Sequence, residues 1–143
     1  MYIHLGTALA MQRKSDEALV LLEKSRKLNP KFADIYANIG SLYLMQGKWR
    51  EALEELGQAA VLNPKDARIQ GGLAQCFHEL GRLDKAIEHY QAALKLNPSM
   101  LEARFNLGMA LEEAGNISGA IHHYEAALQL NPGFLPARQR LNN

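Results

Sequence analysis

The chain has 143 residues, 48% of them apolar and 22% charged, with a net charge of +1. That is enough apolar surface for a continuous core, with none of the bias of a disordered segment. Near-neutrality argues against a dedicated nucleic-acid binder, which needs a basic face to displace counterions. The lone Cys76 excludes an internal disulfide and a Cys-pair zinc site, and no apolar run is long enough for a membrane span.

Leu-Asn-Pro occurs at 28–30, 62–64, 96–98 and 130–132, each copy 34 residues after the last. A fixed period of this length, with no strand-like segment between copies, marks a repeat array. The units are 1–32, which lacks its opening two positions, then 33–66, 67–100 and 101–134. Residues 135–143 start a fifth unit and read as a partial capping helix, with Pro136 near its start and Arg138, Gln139 and Arg140 on a polar face. Met1 opens inside a repeat, an expectation that the chain is part of something longer. The first unit is mildly basic and the 101–134 unit acidic.

Each unit carries two apolar patterns at helical spacing. In the second unit the first helix is predicted over about 33–46 and the second over about 50–62, and the other units follow at 34-residue offsets. Gly47, Gly81 and Gly115 fall between the two helices, where positive φ is needed. Arg13 holds that place in the first unit. Asp16, Asp84 and Ser118 are expected to cap the second helices, with Arg50 a departure that should weaken its helix end. Trp49, Leu83 and Ile117 then precede the caps as staples. The prolines stop the second helices.

Small residues recur at position 8 (Gly6, Gly40, Ala74, Gly108), position 20 (Ala18, Ala52, Ala86, Ala120) and position 27 (Ser25, Ala59, Ala93, Ala127). They let paired helices approach closely. Large residues fill position 7 (Leu5, Ile39, Leu73, Leu107) and position 24 (Leu22, Leu56, Tyr90, Tyr124). One such pair leaves a face uncovered that only stacking buries.

These residues resemble the tetratricopeptide repeat family. The pattern reads Tyr36, Ile39-Gly40, Tyr43, Ala52, Leu56, Ala59, Pro64 in the second unit, and Arg104, Leu107-Gly108, Leu111, Ala120, Tyr124, Ala127, Pro132 in the fourth. The resemblance is nearest to the superhelical arrays of O-linked N-acetylglucosamine transferase and of bacterial repeat proteins. It implies an all-α fold, a right-handed α-solenoid of antiparallel helix pairs, whose first helices line a concave groove that holds protein or peptide.

By the same resemblance, positions 2, 5, 6, 9, 12 and 13 face the groove. They hold Ile3, His4, Thr7, Ala10 and Met11; Asp34, Ala37, Asn38, Ser41, Leu44 and Met45; Arg68, Gly71, Gly72, Gln75, His78 and Glu79; and Glu102, Phe105, Asn106, Met109, Glu112 and Glu113. The candidate ligand residues among them are Asn38, Ser41, Met45, Arg68, Gln75, His78, Phe105, Asn106, Met109 and Glu112. Methionines adapt to varied side chains, Gly71 and Gly72 leave a bare stretch, and the later glutamates favour a basic ligand segment. The family's carboxylate clamp would need a Lys/Asn, Asn, Lys/Arg set. Ile3, Thr7, Asn38, Arg68 and Gly72 stand there, so the clamp is not expected. Asn38 and Asn106 fit an asparagine ladder that grips peptide backbone, and His4 and Gly72 break it.

Catalytic chemistry is not expected. His122 and His123 are adjacent and should point to different sides of their helix, while His89 and His123, one repeat apart, are too distant to share a metal. Cys76 reads as a small apolar filler. No phosphate loop or nucleophile motif is present, and no cofactor or metal is expected. The sequence therefore predicts a non-catalytic scaffold for a peptide or partner helix, with no nucleic-acid or membrane partner. The alternatives are a substrate-presenting arm of a larger enzyme such as a glycosyltransferase, and a module that self-associates through a bare N-terminal face. The default compartment is the cytoplasm, with the periplasm left open.

Overall fold

The computed structural model describes the backbone of residues 2–142 and the side chains of residues 13–142. Within them the chain forms eight helices and no strand: α1 (Tyr2–Leu28), α2 (Ala33–Met45), α3 (Trp49–Leu62), α4 (Ala67–Glu79), α5 (Leu83–Leu96), α6 (Leu101–Glu113), α7 (Ile117–Leu130) and α8 (Leu135–Leu141). Each helix packs on the next in the chain, and α2, α4 and α6 also meet one another in order. This is an α-solenoid.

The turn inside each unit is built by glycine. Gly47, Gly81 and Gly115 have φ of 73°, 80° and 90°, a region that side chains with a Cβ enter only at a cost. In the first of these turns Gly47 N–H donates to Leu44 O and Lys48 N–H to Tyr43 O, at 3.1 and 2.9 Å. That is the paired closure of a helix C-terminus, and it recurs as Arg82 N–H to Phe77 O and Asn116 N–H to Leu111 O, both 2.8 Å. The residue that closes one helix thereby becomes the cap of the next.

For this reason the second helices start earlier than the sequence implied. Their caps are Lys48, Arg82 and Asn116, while Asp84 and Ser118 lie in the first turn and Asp16 lies inside α1. Of the three caps only Asn116 closes its helix with a side chain, its Oδ1 accepting from Gly119 N–H at 3.0 Å. Arg50 replaces no cap, and Trp49, Leu83 and Ile117 are the first helical residues. The prolines do stop their helices: Asn63, Asn97 and Asn131 sit near φ −144° to −145° with ψ of 85–96°, the extended backbone imposed by a following proline.

The first unit departs from the expected helix pair. α1 runs through Tyr2–Leu28 without a break. Arg13, standing where the other units have glycine, cannot take up positive φ cheaply, and it instead pairs with Glu17 one turn on, at 3.6 Å. The expected groove positions Ile3, His4, Thr7, Ala10 and Met11, and the packing positions Leu5 and Gly6, belong to residues whose side chains lie outside the described set.

The core follows the small-residue register. Ala52, Ala59, Ala86, Ala93, Ala120 and Ala127 are all fully buried, as are Leu56, Tyr90 and Tyr124. A Cβ on Gly40 would stand 2.6 Å from Leu56 Cγ, and one on Gly108 would stand 2.6 Å from Tyr124 Cε1. Position 8 is thus small because position 24 fills its space.

Candidate ligand groove

The parallel first helices α2, α4 and α6 form one face of the stack. Across it lies a hollow of about 220 Å³ lined by Ser41 and Leu44 of α2, Arg68, Gly71, Gly72 and Gln75 of α4, and Glu102, Ala103 and Asn106 of α6. Leu56, Tyr90 and Met100 complete its lining. The period explains the convergence: positions 2, 6 and 9 of successive units sit side by side, so residues 34 apart meet across helices. Four residues selected from sequence, Ser41, Arg68, Gln75 and Asn106, come together here.

The electrostatics of the hollow are set by its two ends. The Arg68 guanidinium lies 3.2 Å from Asp66 Oδ2 and 3.6 Å from Asp34 Oδ1, and Asp66 Oδ1 accepts from Arg68 N–H at 2.9 Å. Burial pulls the Asp66 carboxyl upward, but the hydrogen bonds and charge of Arg68 outweigh it and hold the group below its ordinary range. Two carboxylates thus offset one cation. At the other end Glu102 is exposed and takes part in no ion pair among the described residues. Between them Gln75, Asn106 and Ser41 offer neutral donors and acceptors.

Other predicted groove residues have internal partners. His78 Nε2 is 2.9 Å from Glu113 Oε2, and its Nδ1 is 3.5 Å from the Tyr90 hydroxyl. One repeat on, the Tyr124 hydroxyl donates to Glu112 Oε1 at 2.9 Å, while Arg140 donates to Glu112 Oε2 at 3.2 Å and approaches Met109 Sδ at 3.6 Å. Position 12 in both units therefore ties its own second helix to the following unit. Burial pushes both tyrosine hydroxyls up, and for Tyr124 the bond to Glu112 adds to it. Phe105 is also engaged, its ring centroid 5.5 Å from that of Tyr124 and 5.4 Å from that of Phe134. Met45 stands exposed, away from the hollow.

Asn38 lies elsewhere, in a second and wider hollow between α1 and α2, about 460 Å³, with Ala18, Leu21, Leu22, Ser41 and Leu42. Ala18 is half-buried here, whereas its counterparts Ala52, Ala86 and Ala120 are covered.

Leu56, Tyr90, Met100 and Ala103 line the main hollow and were not singled out as groove residues. Their signal was present: Leu56 and Tyr90 are the large position 24, and Met100 holds the same place as Phe32 and Phe134 before a first helix.

Among the described residues no group of three or more His, Cys, Asp or Glu could hold a metal ion. His89 Nδ1 lies 2.8 Å from Gln70 Oε1 and its ring stacks on Phe77. The His122 and His123 rings are not on opposite sides: their centroids are 5.2 Å apart, edge to face. Cys76 is fully buried, and burial pushes its thiol up to about 12. That makes it a poor nucleophile. No helix among the described residues is long and apolar enough to cross a membrane.

Fold and face together define a helical-repeat scaffold of the kind that engages other proteins. The Tetratricopeptide repeat profile matches residues 3–61, 37–100 and 83–133, and the chain belongs to that family. No curated protein matches it significantly in sequence. Among solved structures it is similar to MamA, at 26% identity and a TM-score of 0.83 over 90% of this chain and 75% of that one. It is also similar to MamA from Desulfovibrio magneticus RS-1, at 24% identity and a TM-score of 0.77 over 92% and 74%. The first repeat domain of Spaghetti (RPAP3), bound to the HSP90 peptide SRMEEVD, shares the fold at 24% identity and a TM-score of 0.74, over 77% of this chain and 87% of that one. No enzyme family is indicated.

Proposed function

We propose that the chain is a non-catalytic scaffold that holds an extended peptide across α2, α4 and α6. The observation that carries this reading is the hollow in which Ser41, Gln75 and Asn106 surround a floor of two glycines. Side-chain amides both donate and accept, so they can match a peptide backbone without reading its sequence. The relative that binds an HSP90 peptide lends the fold only. At the positions of a carboxylate clamp this chain keeps Asn38, which lies in the other hollow, and Arg68, which is already paired with two aspartates.

The test is selection of peptides from a random twelve-residue display library, followed by affinity measurement on protein variants. Asn106→Ala and Gln75→Ala should each weaken the selected peptides by roughly fivefold, about 1 kcal/mol per lost hydrogen bond, with helicity intact. Unchanged affinity in the double variant would remove the groove reading.

A second reading has its own observation. The hollow between α1 and α2 is mostly apolar, lined by Ala18, Leu21, Leu22 and Leu42 beside Asn38 and Ser41, and Leu21 stands exposed in it, as Val20 and Leu28 do elsewhere on α1. A second copy of the chain is the occupant we infer. Sedimentation across a concentration series should show association that Leu21→Glu abolishes, and a monomer at the highest concentration would end this reading.

A further inference from the structure

The repeat itself shows what the hollow over Gly71 accepts, given the groove reading above on which this inference rests. In the 101–134 unit, position 5 is Phe105, whose ring packs between Tyr124 and Phe134. Thirty-four residues earlier the same three places are held by Gly71, Tyr90 and Met100. The outer two are large and the middle one has no side chain. A Cβ built on Gly71 would meet only Met100 Cε within 4 Å, at 3.4 Å. The hollow bounded by Tyr90 and Met100 is therefore the place of a missing ring, set in the same α-helical frame.

Its size agrees. An enclosed cavity of about 150 Å³ is enough to admit benzene, and this open, partly polar hollow is about 220 Å³. Met100, which overhangs Gly71, is unbranched and can swing aside. The 33–66 unit has no such opening, because Ala37 holds position 5 and is buried in the core.

Charge decides what sits next to the ring. Arg68 lies between Asp34 and Asp66, and Glu102 lines the rim with no ion pair among the described residues, so the rim is net negative. We propose that the hollow binds an aromatic side chain of an extended peptide, in the place Phe105 takes one unit later, with a lysine or arginine beside it facing Glu102.

The probe is the blocked peptide acetyl-Gly-Ser-Phe-Lys-Ser-Gly-amide, followed by the Met100 methyl and Gly71 amide NMR signals. Saturable shifts are expected at both. Replacing the peptide's Phe by Ala should weaken binding at least about tenfold. Replacing its Lys by Glu should weaken it about threefold at low salt, a difference that closes at high salt. On the protein, Gly71→Phe should plug the hollow from within: the melting temperature holds or rises while the Phe peptide loses at least about tenfold in affinity. Gly71→Ala, which adds a single carbon, should give an intermediate loss and covers the case in which the larger variant fails to fold. Equal binding of the Phe and Ala peptides, or full binding to folded Gly71→Phe and Gly71→Ala, would overturn the proposal. If all the peptides bind alike and Asn106→Ala still weakens them, the groove stands and the aromatic preference falls. If no probe shifts any residue of α2, α4 or α6, the groove reading falls, and this inference with it.

Discussion

Residues 67–100 and 101–134 share a backbone and differ in how it is filled. The later unit is closed: Phe105 covers Tyr124, Gly108 lets that tyrosine come close, and Glu112 takes the tyrosine hydroxyl and passes the contact on to Arg140. The earlier unit is open: Gly71 leaves a hollow where Phe105 stands one unit later, Ala74 stands where Gly108 does, and His78 meets the Tyr90 hydroxyl only at 3.5 Å. A repeat array fixes where a side chain points, and each unit then spends that direction either on its neighbour or on a ligand. A closed unit contributes stability, and an open one offers a surface.

The largest expected effect comes from opening the closed unit. Phe105→Ala removes the ring from between Tyr124 and Phe134 and should cost about 3 kcal/mol in urea unfolding, at the low end for a phenylalanine because this one is half-buried. It should also create, one repeat on, a hollow like that over Gly71. A loss below about 1 kcal/mol would show that Phe105 is a groove residue resting on the surface.

A smaller effect tests the close approach. Alanine is the better helix former than glycine by about 1 kcal/mol, so on propensity alone Gly108→Ala would stabilise. Here the new Cβ would lie 2.6 and 2.8 Å from Tyr124 Cε1 and Cδ1, and that ring is held by Phe105 and Glu112. The net change should be destabilising by about 1–2 kcal/mol, measured the same way. The repeat-equivalent Ala74→Gly should cost about 1 kcal/mol. If Gly108→Ala stabilises instead, the two units do not differ in how tightly position 8 meets position 24.

What the sequence revealed, and what it hid, divides along the same line. The period, the turn glycines and the helix-stopping prolines were legible because each is a constraint on the chain's own backbone: positive φ at Gly47, extended geometry at Asn97. The break expected near Arg13 failed for the same reason, since no glycine stands there to take it. The caps were misplaced because Asp84 and Ser118 have capping chemistry, while Lys48 and Arg82 are set by where the preceding helix closes. The groove was half legible. Position numbers led to Ser41, Arg68, Gln75 and Asn106, and they gave His78, Phe105 and Glu112 with equal force. A position gives the direction of a Cβ but not whether a partner waits at the end of the side chain. For Glu112 that partner is Arg140, 28 residues away in the next unit.

The finest contrast lies at position 23, where both units carry histidine. Burial is the main force lowering His89, which Gln70 engages at Nδ1. Burial also leads for His123, reinforced by electrostatic repulsion from His122 and Arg104. The His123 Nδ1 and Arg104 Nε atoms are both buried without a hydrogen-bond partner among the described residues. In each case the fold favours neutral imidazole, so the folded value lies below the unfolded 6.5. The unfolded chain then takes up the proton first. The stability tied to each histidine is whole above pH 6.5 and drains as the pH falls from there through the folded value. His89→Gln and His123→Gln should therefore each flatten the decline in urea midpoint between pH 7.5 and 5. Arg104→Gln should also flatten it, because it removes the cation that opposes His123, whereas Lys85→Gln, beside His89, should act less, with Glu88 already offsetting that lysine. If Arg104→Gln leaves the pH slope of the wild type unchanged while His123→Gln flattens it, Arg104 has no part in lowering His123, which burial and His122 then set.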